Sequence, residues 1–183
     1  GFLGRYFVAL FAYLNDQVLQ RPCRLIVCDN LVTSTTPDPA LLHGFPFLSH
    51  NVIYPMALEE PIDYIIHAAG IASPYYYRKY PIETLEVATV GTKHLLTLGC
   101  KTPVKGFLFF SSSEIYGDPD STHVPTSETY RGNVSCLGPR ACYDESKRLG
   151  ETLCMIFAQQ RGLATKIVRP FNVYGPGMQA TDY

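Results

Sequence analysis

Residues 104–114, VKGFLFFSSSE, decide the fold of this 183-residue chain. The first seven residues form a short apolar run, which is the pattern of a strand buried on both faces inside a parallel sheet. Three serines and a glutamate follow at once, and doubly wound sheets bind their ligands at the carboxyl ends of such strands. The stretch therefore predicts a buried strand with a polar site at its end.

Strands and helices alternate along the rest of the chain. Short apolar runs predict further strands at residues 24–29, 47–52, 63–68 and 165–168. Apolar residues at helical spacing predict helices at residues 2–14, 81–100 and 142–161, with Gly162 as the C-cap of the last helix. Residues 33–46 and 117–138 are polar and are predicted to be loops. This alternation predicts an α/β fold, a Rossmann-like doubly wound parallel sheet.

The composition excludes several classes of protein. Apolar residues make up 46% of the chain and the formal net charge is −1, so neither a disordered chain nor a broad electrostatic contact with nucleic acid is expected. No apolar run reaches the length of a membrane span. The six cysteines are scattered, so reduced thiols and no metal site are predicted. With no visible signal peptide, these features predict a cytoplasmic protein without a membrane or nucleic-acid partner.

The start of the chain carries the signal for a dinucleotide. Gly1 and Gly4 open the first predicted helix, and Asp29 ends the next predicted strand, near the roughly 20-residue offset found in dinucleotide folds. Glycines let the backbone approach a pyrophosphate at the helix N-terminus. A carboxylate accepts hydrogen bonds from the adenosine ribose and repels a 2′-phosphate. The predicted cofactor is therefore NAD rather than NADP.

The length of the chain fits one domain. Because the glycine motif stands at the very start, we expect residues 1–183 to be a partial NAD-binding Rossmann domain, truncated at both ends. The first strand and the C-terminal substrate-binding domain are expected to lie outside it. Expressed alone, the 183 residues are predicted to be poorly soluble and inactive, because the loss of a central strand exposes sheet edges.

Tyr143 and Lys147 lie four residues apart on one predicted helix, so they share a face. A free tyrosine has a pKa of about 10, and a nearby ammonium group lowers the pKa of the phenol. The run of three serines that ends the preceding strand supplies a hydroxyl partner for the phenol. The pattern predicts a tyrosine that exchanges a proton with an alcohol of the substrate.

Five segments carry a family resemblance: HAAGIASP (67–74), PIETL (81–85), SSSEIYGDP (111–119), GPRACYDESKR (138–148) and RPFNVYGPGM (169–178). The resemblance runs over essentially the whole chain, and the segment at 138–148 is its most specific part. Together with the serine cluster and Tyr-x-x-x-Lys, the five segments make the chain similar to the extended short-chain dehydrogenase/reductases, the NAD-dependent epimerase/dehydratase family. Within that family the chain most resembles the UDP-glucuronate decarboxylases.

The resemblance implies catalytic roles for five residues. Tyr143 would take the proton of the sugar C4 hydroxyl, Lys147 would lower the pKa of Tyr143 and bind the nicotinamide ribose, and Ser112 would bond the C4 oxygen. Hydride transfer to NAD gives a 4-keto sugar, whose C6 carboxylate is lost as carbon dioxide with the help of Glu114 and Ser113. Return of the hydride would give UDP-xylose. The cofactor thus leaves the cycle unchanged.

The resemblance also implies two sets of binding residues. The cofactor would be bound by Gly1, Phe2, Leu3, Gly4, Asp29, Asn30, Thr33, Asn51, Val52, Ala68, Ala69, Gly70, Thr84, Ser111, Tyr143 and Lys147. The nucleotide sugar would contact Ser113, Glu114, Tyr143, Arg140 and Asn172. Arg140 could instead be a structural residue paired with a loop carboxylate. A homodimer is expected for the full-length protein.

Four positions depart from the pattern of the decarboxylases. Ala88 replaces an Asn, Glu83 a Lys, Asn51 an Asp, and Gly177 the Arg of a Gly-Pro-Arg-Met segment that handles the acidic substrate. Losing a guanidinium is a large change, because its fork of donors matches a carboxylate or phosphate. A nucleotide-sugar 4,6-dehydratase, a 4-epimerase and a non-catalytic dinucleotide-binding homologue therefore stay open as alternatives.

Overall fold

The computed structural model describes residues 1–33, 38–58 and 60–178. The chain divides into two compact units, residues 1–51 and residues 52–183. Both units combine helices with parallel strands, which confirms the predicted α/β class. Within the described ranges, no helix is long and apolar enough to cross a membrane.

The first unit contains one long helix and two short strands. Helix α1 spans Phe2–Gln17, strand β1 spans Val27–Asp29 and strand β2 spans Phe47–Ser49. The two strands pair in parallel, with Val27 opposite Phe47. Part of the predicted loop at 33–46 is ordered as a 3₁₀ turn at Pro39–Leu42, because the Asp38 side chain accepts a hydrogen bond from the Ala40 amide.

The second unit is built on a three-stranded parallel sheet in the order β3-β4-β5. Its strands are β3 at Tyr64–His67, β4 at Gly106–Phe110 and β5 at Thr165–Val168. Its helices are α2 at Pro74–Lys79, α3 at Pro81–Glu86, α4 at Thr92–Lys101 and α5 at Ala141–Arg161. Short 3₁₀ turns lie at Ser113–Tyr116 and Ser121–His123. Every predicted strand is present, and most are shorter than predicted.

The predicted single sheet is present as two separate parallel sheets, one in each unit.

The predicted helix at 81–100 is interrupted. A π-helical turn at Val87–Gly91 separates α3 from α4. Gly91 lies in this turn, where an added Cβ would come within 2.7 Å of Val52 Cγ2, so the backbone approaches its neighbour closely. Single π-helical turns inside α-helices are rare and are frequent at functional sites.

Phe109 on β4 forms the centre of the larger core of the second unit. It is fully buried, together with Leu96 of α4 and Cys154 of α5. Helix α5 approaches β4 closely at Gly150, where an added Cβ would lie 2.4 Å from Phe109 Cζ. This close contact fixes the height of α5 above the strand that ends in the serine cluster.

Helix α5 ends as the sequence predicts. Gly162 takes the left-handed conformation, with φ of 67° and ψ of 16°, and its amide donates to the Ala158 carbonyl. A residue with a Cβ is strained in this region, which is why glycine commonly ends helices.

Candidate active site

The serine cluster continues directly from β4. The Ser111 amide donates to the Val168 carbonyl and the Ser113 amide donates to the Pro170 carbonyl, so pairing with the β5 segment extends past both strands. Ser111 and Ser112 are buried, at 4% and 7% exposure. The Ser112 hydroxyl accepts from the Glu114 amide at 3.2 Å and starts a 3₁₀ turn. The serines are therefore held by the backbone of the sheet rather than by a free loop.

Helix α5 brings the predicted tyrosine and lysine to the same end of the sheet. Tyr143 and Lys147 are buried, at 7% and 5% exposure. Ser112 lies close enough to the Tyr143 phenol for its side chain to lower the pKa of that phenol. Lys147 Nζ donates to the Phe110 carbonyl at 2.6 Å and lies 5.8 Å from the centre of the Tyr143 ring. The structure thus brings the predicted Ser-Tyr-Lys group together.

The pKa of Tyr143 is raised, which is opposite to the direction expected from a neighbouring lysine. Burial is the largest cause, because it disfavours the phenolate, and the nearby Ser112 side chain opposes it. Burial also lowers the pKa of Lys147 to about 8. The expectation failed because sequence spacing sets which side chains share a face, whereas the pKa depends on how far water is excluded.

Tyr77 packs directly on the predicted catalytic tyrosine. The two rings stack with centroids 5.5 Å apart and an interplanar angle of 15°. Tyr77 is 2% exposed and belongs to α2, a helix that the sequence analysis did not predict. Ser73 caps α2 by accepting from the Tyr76 amide and Pro74 is its first residue, so the Ser-Pro pair was the signal for this helix.

Gly70, in the loop after β3, leaves room for the lysine. A Cβ at this position would lie 3.3 Å from Lys147 Nζ. His67, at the end of β3, is 1% exposed, and its Nε2 lies 3.0 Å from Thr92 Oγ1. Burial lowers the pKa of His67 to about 3, so it is neutral beside Lys147.

Glu114 and Arg140 form an ion pair in which the Arg140 guanidinium donates to the Glu114 carboxylate. Arg140 also approaches Asp144, with Nε 3.6 Å from Oδ2. The structure therefore places Arg140 against the carboxylate of Glu114, on the turn after β4. This agrees with the expectation that Arg140 pairs with a loop carboxylate. Asp144 was not singled out from the sequence, although it lies inside the 138–148 segment.

Within the first unit, the glycine motif and the predicted ribose acid lie together. The Gly1 nitrogen donates to Asp29 Oδ2 at 3.0 Å, and the Leu31 amide donates to Asp29 Oδ1 at 2.8 Å. An added Cβ at Gly1 or Gly4 would meet no atom of the described residues within 4 Å. The Asn30 side chain accepts from the Val32 amide at 3.2 Å.

The remaining predicted binding residues occupy several kinds of position. Phe2 and Leu3 open α1, and Thr33 and Asn51 follow β1 and β2 in irregular segments. Val52 is a core residue at 8% exposure, Ala68 and Ala69 follow β3, and Thr84 is buried in α3 with its hydroxyl donated to the Tyr80 carbonyl at 2.6 Å. Asn172 is exposed in the segment after β5. Their roles as ligands stay predictions.

The segment after β5 is anchored by Arg169, which the sequence analysis missed. Its guanidinium donates to both carboxylate oxygens of Glu151, at 2.9 and 2.7 Å, and to the Tyr116 hydroxyl at 2.9 Å. Gly177 has φ of +83° in a turn closed by a hydrogen bond from the Met178 amide to the Gly175 carbonyl. Pro176 followed by Gly177 at the two central positions of this turn is the pattern of a type II turn.

Residues of the second unit fit the nicotinamide end of a dinucleotide. The Ser111 hydroxyl is buried and has no hydrogen-bond partner among the described residues. Lys147 lies beside Gly70, where an added Cβ would come within 3.3 Å of its Nζ. A buried hydroxyl without a partner favours a polar ligand, because it loses its solvation when water is excluded.

A model of the NAD dependent epimerase/dehydratase family matches residues 1–183. The chain belongs to this family. The match confirms the family predicted from the five sequence segments, and it confirms NAD as the predicted cofactor, since the family is NAD-dependent. The matched residues include the Ser-Tyr-Lys group of the second unit and the glycine–aspartate pair of the first.

Two curated relatives are the UDP-glucuronic acid decarboxylases 1 of Xenopus tropicalis and Arabidopsis thaliana, which are 37% and 38% identical to this chain. Both matches cover 100% of the chain, but 41% and 40% of the relatives. The chain thus spans about two fifths of the length of these relatives.

A solved dTDP-glucose 4,6-dehydratase from Streptomyces venezuelae, with NAD bound, is similar in structure, with a TM-score of 0.77 and 26% identity. The similarity covers 96% of this chain and 54% of that one. A solved UDP-glucose 4-epimerase from Thermotoga maritima shares the fold, with a TM-score of 0.71 and 24% identity. That similarity covers 90% of this chain and 53% of the epimerase chain. The fold of this chain is thus shared with a dehydratase and an epimerase.

Proposed function

We propose that the full-length protein decarboxylates UDP-glucuronate to UDP-xylose through a 4-keto intermediate. The observation that carries the reaction class is the buried Ser112–Tyr143–Lys147 group beside Glu114. The choice of UDP-glucuronate as substrate is supported by the decarboxylases that are 37% and 38% identical over the whole chain.

Ser112 and Tyr143 would act on the sugar C4 hydroxyl. Tyr143 takes the proton of this hydroxyl, and Ser112, which lies close to the phenol, orients the C4 oxygen. The NAD cofactor, when bound, would supply the hydride-transfer chemistry at C4. With a pKa of about 8, Lys147 keeps a positive charge at neutral pH despite its burial, and it would bind the nicotinamide ribose.

Carbon dioxide is then lost from the 4-keto sugar. The C4 ketone lies β to the C6 carboxylate, so the electron pair of the broken C5–C6 bond is delocalised into an enolate. Glu114, held by the Ser112 cap and by Arg140, is the acid-base group placed next to Ser112. Protonation at C5 completes the carbon skeleton of UDP-xylose.

The test uses the full-length protein with NAD and UDP-glucuronate, and it follows carbon dioxide and the mass of the nucleotide sugar. A product lighter by one carbon dioxide is expected. Tyr143→Phe should abolish its formation, whereas Tyr13→Phe, at a side chain of α1 that is 60% exposed, should not. An unchanged substrate with the wild-type protein would contradict the proposal.

A second candidate is a dehydratase or epimerase that acts on a neutral nucleotide hexose. Gly177 favours it, because a glycine with φ of +83° stands where the decarboxylases have the Arg of their Gly-Pro-Arg-Met segment. The same assay separates the candidates with neutral nucleotide hexoses. Loss of water marks a dehydratase, and an unchanged mass with a new sugar marks an epimerase.

We also propose that the full-length protein is a homodimer located in the cytoplasm. Helices α3 and α5 contact one another, and each leaves apolar side chains exposed: Ile82 at 68%, Leu85 at 46% and Leu149 at 48%. Leu153 and Phe157, one and two turns further along α5, pack on the core instead. Leu149→Glu should convert a dimer to a monomer in light scattering, and a wild-type protein that is monomeric would contradict the proposal.

A further inference from the structure

Arg140 occupies the N-cap position of α5 but does not use its side chain to cap the helix. The guanidinium instead donates through Nη2 to Glu114 Oε2, on the 3₁₀ turn after β4. Its Nε lies 3.6 Å from Asp144 Oδ2, one turn further along α5. One guanidinium is therefore shared by two carboxylates that belong to different elements.

Asp144 is the less satisfied of the two carboxylates. The residue is 9% exposed, and its Oδ1 atom is buried without a hydrogen-bond partner among the described residues. Burial raises the pKa of Asp144, and the nearby Arg140 only partly opposes this effect. A buried, incompletely bonded carboxylate gains from any cation that moves closer to it.

The side chains around Arg140 carry an excess of negative charge. Glu114 and Asp144 contact it, Glu145 acts on Asp144 with the same sign, and the phenol of Tyr143 is stabilised as an anion by Arg140. The guanidinium is 47% exposed, so it has room to move between its partners. The positive charge next to Glu114 therefore depends on whether the Arg140 guanidinium lies closer to Glu114 or to Asp144.

We propose that Arg140 is a positioning residue that holds Glu114 as an oriented carboxylate, and that Asp144 is the second acceptor to which Arg140 moves when Glu114 is released for proton transfer. The inference rests on the proposed function, because Glu114 is the acid-base group of that reaction. It assigns Asp144 a role that the family segments alone do not indicate.

The two positions of Arg140 make opposite demands on Glu114. While the guanidinium bonds Glu114, the carboxylate is favoured over the acid and its orientation is fixed. When Arg140 turns to Asp144, Glu114 loses this stabilisation and becomes a better proton acceptor. No covalent bond is made or broken in this movement. The contact with the cation offsets the loss of solvation of the buried Asp144 carboxylate.

The inference is tested on the substrate-free, full-length protein by labelling carboxyl groups with a water-soluble carbodiimide and an amine. Only the protonated carboxyl reacts efficiently, so the pH dependence of Glu114 labelling, read by peptide mass spectrometry, reports its ionisation. The variants are Arg140→Met, Arg140→Lys and Asp144→Asn. Arg161→Met, which removes an exposed cation at the far end of α5, is the matched control.

Arg140→Met should move the labelling midpoint of Glu114 upward by about 1 pH unit or more, the effect of removing a neighbouring guanidinium. Arg140→Lys should return it towards the wild-type value. Asp144→Asn should move it downward, because the competing carboxylate is gone and Arg140 stays with Glu114. Arg161→Met should leave it unchanged.

An unchanged midpoint in both Arg140→Met and Asp144→Asn would overturn the inference. If Arg140→Met proves unstable, Arg140→Lys and Asp144→Asn still test the inference. With a purely structural Arg140, the labelling midpoint of Glu114 would not move downward in Asp144→Asn. Because labelling needs no turnover, it separates this inference from the proposed reaction. In the active protein, the acid limb of the kcat/KM profile should shift in the same directions, and a raised KM with an unshifted limb would assign Arg140 to substrate binding instead.

Discussion

Replacing Lys147 with methionine should increase the stability of the protein at neutral pH, although it removes a residue of the candidate active site. Lys147 is 5% exposed, and burial lowers its pKa from 10.5 to about 8. The folded state therefore binds this proton more weakly than the unfolded state does. By linkage, the drop of about 2.5 units corresponds to an unfavourable contribution of about 3 kcal/mol at neutral pH.

The sign of the pH dependence follows from the same two pKa values. Below about pH 8 the lysine is charged in both states, and the full penalty applies. Between about pH 8 and the unfolded value of 10.5, the folded state has lost its proton while the unfolded state still holds it, so the stability of the wild type rises with pH. Near about pH 9.5 the penalty should have fallen to about 1 to 1.5 kcal/mol.

The assay is urea unfolding of full-length wild-type and Lys147→Met protein at several pH values. The loss of the hydrogen bond to the Phe110 carbonyl makes the absolute difference smaller than the electrostatic part, but it does not depend on pH. The difference between the two proteins should therefore change by about 2 kcal/mol from neutral pH to about pH 9.5. Lys101→Met, at an exposed lysine of α4, should give a flat difference. A flat difference for Lys147→Met as well would refute the reasoning.

Three further substitutions test the packing and the backbone of the site. Gly150→Ala should destabilise the protein by about 1 to 3 kcal/mol in urea unfolding despite the better helix propensity of alanine, because the new Cβ would lie 2.4 Å from Phe109 Cζ; a neutral or stabilising effect would mean that α5 can move. Gly177→Arg should not raise turnover of UDP-glucuronate, because φ of +83° costs a residue with a Cβ about 1 to 2 kcal/mol; a gain in kcat/KM would show that the turn adapts. Tyr77→Leu should lower kcat more than it raises KM, because the stacked ring orients Tyr143; an unchanged kcat would make the stack purely structural.

The sequence predicted the parts of the fold that depend on local pattern. The strand at 104–110 and the helix at 142–161 are present within a few residues of the predicted bounds, and Gly162 ends that helix as expected. Helix α2 was missed, although Ser73 and Pro74 are standard signals for a helix start, because six residues give too short an apolar pattern. The π-helical turn at Val87–Gly91 was missed because it depends on a close tertiary contact of Gly91, which no local pattern records.

The candidate site was predicted in identity more fully than in chemistry. Spacing and family resemblance identified Ser112, Tyr143 and Lys147, and the structure brings the three together. The raised pKa of Tyr143 could not be predicted, because it depends on burial, to which Tyr77 contributes from another helix. Pairwise spacing gives the sign of one interaction, whereas the net shift is the sum of all of them.

The charges around Arg140 bear on the choice between an acidic and a neutral substrate. Among the described residues, Arg140 already neutralises one of the two carboxylates that it contacts, Glu114 and Asp144. A substrate carboxylate would add a third anion, and position 177 supplies no guanidinium to balance it. Two solutions satisfy this balance. In the first, Arg140 turns from Glu114 to the incoming carboxylate or to Asp144, and substrate binding is then coupled to the release of Glu114. In the second, the sugar carries no carboxylate and Arg140 stays in place. In the first case Asp144→Asn should change the KM for UDP-glucuronate, and in the second it should leave the KM for a neutral nucleotide hexose unchanged, so steady-state kinetics with both substrates on one variant distinguishes them.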